Sequence, residues 1–294
     1  MRKALLLSTL LAGSALAASP AFADDAPAAP AAPPSAFTIT GSAGVWSQYR
    51  FRGISQSDNK PVVQGALTIT HSSGFYLSTW GSSATGNAAV DLGGTEIDVY
   101  GGYSKTISGF TLDGGLYGYI YPGSSKVHAQ IDSSGQFVGG SSGINQSYFE
   151  VYGDVAKTYG PVTAKVGVNW APDQSYFKKF NTSTRYNMYE FAELGYAMTS
   201  LPITFHSHLG HTGGGFDYFP VGQDHGHKYF DYTVGVTYKW KSLSFDISAV
   251  GTTLSKKDTT VFIDEGEGGV AGFGHNDYRR AAKFYPVGSI SASF

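Results

Sequence analysis

The sequence predicts an all-β protein, a transmembrane antiparallel β-barrel of about 12 strands with short periplasmic turns and long extracellular loops. Three observations predict it. Hydrophobicity alternates with period two from residue 37 to the end, the connections are alternately long and short, and the chain opens with an export signal. Composition agrees. The chain carries 39 Gly, 20 Tyr and 19 Phe, and only 14% of its residues are charged, against roughly 25% in an ordinary soluble domain. Aromatic residues favour strands, and glycine favours turns. A net charge of −2 offers no footprint for nucleic acid. The absence of Cys excludes disulfides, thiolate metal sites and cysteine nucleophiles.

The first 36 residues are expected to be an address and a tether. Arg2 and Lys3 precede the apolar run Ala4–Ala17, and Ala21-Phe22-Ala23 has the small-x-small form of a cleavage site. That order predicts a signal peptide over 1–23, with an apolar run too short for a membrane helix. Residues 24–36 read DDAPAAPAAPPSA. Their prolines deny the segment helix and ladder hydrogen bonds, so an extended Ala/Pro-rich linker is expected. The barrel is then expected over 37–294.

From Phe37 the alternation divides each segment into two faces. Phe37, Ile39, Ala43, Val45, Tyr49 and Phe51 share one face, and Thr38, Thr40, Ser42, Gln48, Arg50 and Arg52 the other. Val162, Ala164, Val166, Val168 and Trp170 likewise oppose Thr163, Lys165 and Asn169. Twelve segments follow this rule: 37–51, 61–70, 75–82, 96–106, 110–121, 146–158, 162–170, 187–198, 203–210, 229–240, 243–253 and 285–294. In hydrocarbon every backbone polar group needs a partner, so a sheet spans only when it closes. The weak segment is 187–198, where Glu190 and Glu193 fall on opposite faces, so one of them must lie at an interface or break the register.

Short connections at 71–74, 107–109, 159–161, 199–202 and 241–242 alternate with long ones at 52–60, 83–95, 122–145, 171–186, 211–228 and 254–284. Outer-membrane barrels place short turns at the periplasmic end and long loops outside. Tyr76, Trp80, Tyr117–Tyr121, Trp170 and Tyr238–Trp240 lie near segment ends, where aromatic girdles are expected. The last segment ends on Phe294 and resembles the terminal strand that hands outer-membrane proteins to the barrel-assembly machinery.

Ser47–Pro61, reading SQYRFRGISQSDNKP, is very similar to the opening motif of the TorF-type family of porins, a bacterial outer-membrane family formerly of unknown function. Gly74–Ser82 (GFYLSTWGS), Tyr117–Gly123 (YGYIYPG), Tyr148–Tyr152 (YFEVY) and Tyr229–Tyr232 (YFDY) resemble later stretches of the same family. The resemblance implies an outer-membrane β-barrel acting as a porin and leaves the substrate open.

The inner face is expected to line a pore with Arg50, Arg52, Glu96, Asp98, Asp113, Glu150, Asp154, Lys165, Asp231, Lys239 and Asp246. Acidic groups outnumber basic ones there, which favours cations. Arg50 and Arg52, at the outer end of the first segment, are the selectivity candidates. The plainer reading is that they pair with facing carboxylates and brace the wall. Twelve strands lie between filled eight-strand barrels and wide 16–18-strand pores, so an open narrow channel is expected, with a side-chain-plugged lumen as the alternative. The expected function is passive diffusion of small hydrophilic solutes or ions. The alternative is a non-conducting surface adhesin or receptor acting through the long loops.

His206, His208, His211, His225 and His227 cluster in sequence, with Asp224 nearby, but no tight ligand motif appears. The acidic stretch 264–267 likewise lacks the spaced ligands of a Ca²⁺ loop. No Gly-x-Ser-x-Gly elbow is present, and His206 and Ser207 fall on opposite faces, so no enzymatic step is expected. No metal and no cofactor are expected. The expected partners are outer-membrane lipid and lipopolysaccharide, the assembly machinery at Phe294, and small solutes or ions.

Overall fold

A computed structural model describes residues 35–86, 91–124, 127–131, 137–141, 147–179, 185–215, 228–255, 257–261, 276–277 and 279–294. The signal peptide, nearly all of the linker, Asp224, His225, His227 and the stretch 264–267 lie outside the described residues.

Twelve strands form one closed antiparallel barrel, each pairing with its neighbours in chain order and the last returning to the first. In order they are Phe37–Trp46, Val62–His71, Phe75–Gly86, Asp91–Ile107, Phe110–Ile120 and Tyr148–Tyr159, then Val162–Ala171, Asn187–Ala197, Ile203–Gly214, Lys228–Trp240, Leu243–Thr252 and Tyr285–Ser293. The fold class and the strand count are those the alternation predicts. At the seam, Ser42 to Trp46 pair with Ser293 to Ser289. Two further backbone bonds lock the end, Gly41 N–H to the Phe294 carbonyl at 2.9 Å and Phe294 N–H to the Gly41 carbonyl at 3.1 Å. The Phe294 ring lies against Gly41, where a side chain would collide with it.

The two faces explain the closure. Outward positions are apolar and exposed: Ile39 and Val45 on the first strand, Val166 and Val168 on the seventh, Phe205 and Leu209 on the ninth. Inward positions are polar and shielded, among them Gln64, Ser78, Asp98, Lys165 and Asn169. The ladder satisfies the backbone internally, so the apolar exterior is compatible with hydrocarbon. No helix among the described residues is long and apolar enough to cross a membrane. The register resolves the eighth strand. Glu193 pairs across to His208 on the inner face, whereas Glu190 pairs to His211 on the outer face, three residues from the loop end. Their side chains meet there, His211 Nδ1 lying 2.9 Å from Glu190 Oε2.

Two expectations are corrected. The first wall strand stops at Trp46, not residue 51, because the chain then turns into the barrel, and Tyr49 and Phe51 are buried inside it. The expected girdle also divides. Trp170, Tyr238 and Trp240 do face outward. Trp80, Tyr117, Tyr119 and Tyr121 are instead buried in the interior, and Tyr76 also points inward, where its hydroxyl donates to Asp113. Their parity is that of the polar face, and most of these phenols find carboxylates there.

Candidate functional site

The loop-end half of the barrel is filled by its own first loop. After Trp46, residues Arg50–Phe51 pair with Ile54–Ser55 as a small hairpin inside the lumen. Its turn is Arg52-Gly53, with φ of 47° and 78°, the two left-handed residues of a type I′ turn. Gly53 is required twice over. Its φ is positive, and a Cβ there would sit 2.5 Å from Thr252 Cγ2 and 2.9 Å from Asp231 Cβ on the wall. The hairpin has its own frame: Gln56 N–H donates to the Tyr49 carbonyl at 2.9 Å, and Tyr49 N–H to Ser57 Oγ at 3.0 Å. Asp58 N–H to the Gly86 carbonyl and Gly86 N–H to the Gln56 carbonyl, both 2.7 Å, anchor it to the third strand. Ile54 and Ser55 are fully buried.

Arg52 carries the hairpin's strongest contact with the wall. Its Nη2 donates to both oxygens of Glu150, at 2.8 and 2.7 Å, and the two side chains are 1% and 0% exposed. Glu150 also accepts from Tyr119 Oη at 3.0 Å and Asn169 Nδ2 at 3.1 Å. The guanidinium carbon lies 4.1 Å from the centre of the Tyr189 ring and 4.7 Å from that of Phe51. Tyr229 Oη donates to the Arg52 carbonyl at 3.1 Å. The bracing role weighed for Arg52 is therefore realised on Glu150, from a hairpin rather than from the first strand.

Arg50 is placed differently from the expectation. It is no wall residue: its Nη1 donates to the carbonyls of Gly53, Ala281 and Lys283 at 2.7, 3.1 and 3.0 Å. Its Nη2 donates to Asn59 Oδ1 at 2.9 Å. It thus clamps the hairpin to the helical turn Arg279–Ala282 that precedes the last strand, and Ala282 is fully buried beneath it.

Phenols tie the remaining loop-end carboxylates. Tyr49 and Tyr121 donate to Glu96 Oε1 at 3.2 and 3.1 Å, and Tyr117 to Asp98 Oδ2 at 2.7 Å. The rings form a ladder, Tyr100, Tyr117, Tyr119, Tyr148 and Tyr176 in sequence, with successive centres 4.5 to 4.7 Å apart. Tyr176 belongs to the connection after the seventh strand, so the ladder runs from the loop end into the wall.

Toward the turn end the interior is less tightly closed. Lys165 Nζ lies 3.3 Å from Asp154 Oδ2, and Asp113 accepts from Tyr76. His206 Nε2 meets Asp246 Oδ2 at 2.7 Å, the latter also receiving Thr237 Oγ1 at 2.6 Å. His208 reaches Glu193 through Nδ1 at 3.3 Å and Tyr189 Oη through Nε2 at 2.7 Å. Tyr189 gives its own proton to Asp231 Oδ1 at 3.1 Å. His208 Nε2 also lies 3.3 Å from Asp231 Oδ1, so ring, phenol and carboxylate form one polar cluster. His206, His208 and His211 do not converge: the first two face inward to different carboxylates and the third faces outward. No group of three His, Asp or Glu side chains arranged to hold a metal occurs among the described residues.

Of the other expected lining residues, Glu96, Asp98, Asp113, Glu150, Asp154, Lys165, Asp231 and Asp246 belong to the interior face, and Lys239 shares their parity but is exposed at the turn end of its strand. Sequence reasoning missed Tyr119 and Asn169 as donors to Glu150, Tyr189 as the ring against Arg52, and Glu193 as an interior acid. The hairpin had a signal, a turn pair Arg52-Gly53 flanked by apolar Phe51 and Ile54.

Fold and site together define a closed β-barrel with an apolar exterior and an acidic interior half-filled by an inward hairpin. Residues 30–267 match the family described as "Bacterial protein of unknown function (Gcw_chp)", and the chain belongs to that family. No curated protein matches the sequence. Among solved structures the chain is similar to the NanC porin, at 10% identity and TM-score 0.48, covering 87% of this chain and 99% of that one. It is similar also to the COG4313 outer membrane channel from Pseudomonas putida F1, at 12% identity and TM-score 0.43, covering 89% and 96%. A third is LpxR from Salmonella typhimurium, at 8% identity and TM-score 0.38, covering 87% and 99%.

Proposed function

We propose that this chain is a bacterial outer-membrane channel for passive diffusion of small hydrophilic solutes or ions, exported by its signal peptide and assembled through the strand ending at Phe294. The observation that supports it best is the pairing of an apolar exterior with an interior whose titratable groups are mostly acidic: Glu96, Asp98, Asp113, Glu150, Asp154, Glu193, Asp231 and Asp246, beside Arg52, Lys165 and His208. Lipid and lipopolysaccharide surround the outer face. The TorF-type resemblance of residues 47–61 favours the same reading, and those residues are the ones that form the inward hairpin. Selection then comes from diameter, set by the hairpin, and from the acidic bias, which concentrates cations. No chemical step is required.

The filled loop-end half also favours a second reading, a non-conducting barrel that presents its long loops as an adhesin or receptor. Current decides between them. Purified, refolded protein in a planar bilayer under a potassium chloride gradient is expected to open in discrete steps, with a reversal potential on the cation side. Replacing Arg50 and Arg52 together should strengthen that preference. A folded barrel that stays silent contradicts the channel reading, and one preferring anions contradicts the acidic selection.

A further inference from the structure

We propose that the pocket around Glu150 is a binding site for guanidinium-bearing solutes, and that Arg52 is its built-in occupant. The inference rests on the channel reading only for what happens after binding. The pocket belongs to the wall: Tyr119, Glu150, Asn169 and Tyr189 come from the fifth, sixth, seventh and eighth strands, and only Phe51 and Arg52 come from the hairpin. The receptor therefore persists when the hairpin leaves.

What favours a guanidinium over a compact cation is the ring face beside the carboxylate. Glu150 takes one terminal nitrogen between its two oxygens, at 2.8 and 2.7 Å, a contact open to any N–H cation. Tyr119 and Asn169 donate to Glu150 and hold its plane. The Tyr189 ring supplies a face 4.1 Å from the guanidinium carbon. A flat, delocalised, weakly hydrated cation gains from carboxylate and ring at once, whereas an ammonium is a compact charge with no plane to stack.

The occupant is delivered in a form that suits exchange. Arg52 sits at φ 47° in a two-residue turn, a position that favours Asn or Gly, so the turn itself does not select arginine. What selects it is what it reaches. With the hairpin displaced, Glu150 loses its counter-charge while Tyr119 and Asn169 still orient its carboxylate in the wall. A free guanidinium restores the balance. Tyr119 also belongs to the ring ladder that continues through Tyr148 to Tyr176 by the loops, which fixes the donor that orients Glu150. A solute of this class thus competes with Arg52, holds the hairpin out and opens the lumen in the act of binding.

The test uses the full-length folded protein in detergent and three probes of similar size: methylguanidinium, methylammonium and the neutral methylurea. Arg52→Ala empties the pocket, and its thermal transition is expected to rise by several degrees with millimolar methylguanidinium. Methylammonium should do much less and methylurea nothing. Arg52→Ala/Glu150→Gln should not respond, and the parent should need at least tenfold more probe. Should Arg52→Ala fail to fold, Arg52→Gln keeps the side-chain shape without the charge and takes its place. Equal responses to the three probes, no response, or a response that survives Glu150→Gln overturns the proposal. Bilayer current separates the two readings. Selective binding with every variant silent removes the channel and keeps the site, and current without selective binding removes the site and keeps the channel.

Discussion

Glu150→Gln is expected to be the most damaging conservative change in the molecule, lowering stability by about 3–5 kcal/mol, the usual cost of breaking a buried ion pair from one side. The change preserves volume, so little of the loss comes from a cavity. It comes from Arg52, whose side chain is 1% exposed and keeps its charge at any accessible pH. An amide offers that guanidinium one neutral oxygen where the carboxylate offers two charged ones, at 2.8 and 2.7 Å. Tyr119 and Asn169 lose a charged acceptor at the same time. The hairpin should respond by leaving the lumen, since expelling Arg52 into water is cheaper than burying it unpaired. Denaturant unfolding in detergent measures the loss. Arg52→Gln/Glu150→Gln should recover most of it, because no lone charge then remains. A double variant as unstable as the sum of the two single ones would show that the pair is not the lock described here.

Val166→Arg is expected to hinder assembly by roughly 2–4 kcal/mol, the penalty for a basic residue facing lipid at mid-depth. Val166 is 54% exposed in the bare protein, at the middle of Val162–Ala171, with Val155 and Ala192 as its cross-strand neighbours. All three are apolar, so the arginine would have no carboxylate to reach. The folded, heat-modifiable fraction after refolding into vesicles is the readout. A variant that assembles as fully and resists heat as well as the parent would mean that this face does not meet lipid.

The wall was legible in the sequence because period two is a local property: each strand declares its faces without reference to its neighbours. Strand ends fell within five residues, and the expected long connection 83–95 is largely strand, since the third strand runs on to Gly86 and the fourth begins at Asp91. The hairpin was not legible by that rule. Tyr49 and Phe51 continue the alternation of the first strand beyond Trp46, and alternation is common to a wall strand and to a hairpin folded inward. Only a turn with positive φ at Arg52 and Gly53 separates them. Tyrosine misled for a second reason, since the same ring serves a membrane girdle and a buried carboxylate. Tyr117 and Tyr119 are assigned by parity and by Asp98 and Glu150, not by their nearness to a strand end. The two glutamates of the eighth strand needed register, a long-range property. Glu193 is interior because the ninth strand places His208 opposite it, and Glu190 lies outside with His211.

The partnering of Glu150 was least visible of all. Its ligands lie at positions 52, 119 and 169, brought together only when the barrel closes around its own loop. Arg52 was singled out from the sequence for its charge in a lumen of opposite sign, yet it is carried by the inward hairpin and not by the wall.

An inward hairpin that constricts a cation-favouring channel must limit its conductance. The direct measurement is single-channel conductance of the parent beside a variant in which residues 48–59 are replaced by a short Gly-Ser turn, both verified as folded. The account predicts small, cation-preferring openings for the parent and several-fold larger openings of the same sign for the shortened chain. A shortened barrel that remains silent, or that conducts no more than the parent, would contradict it.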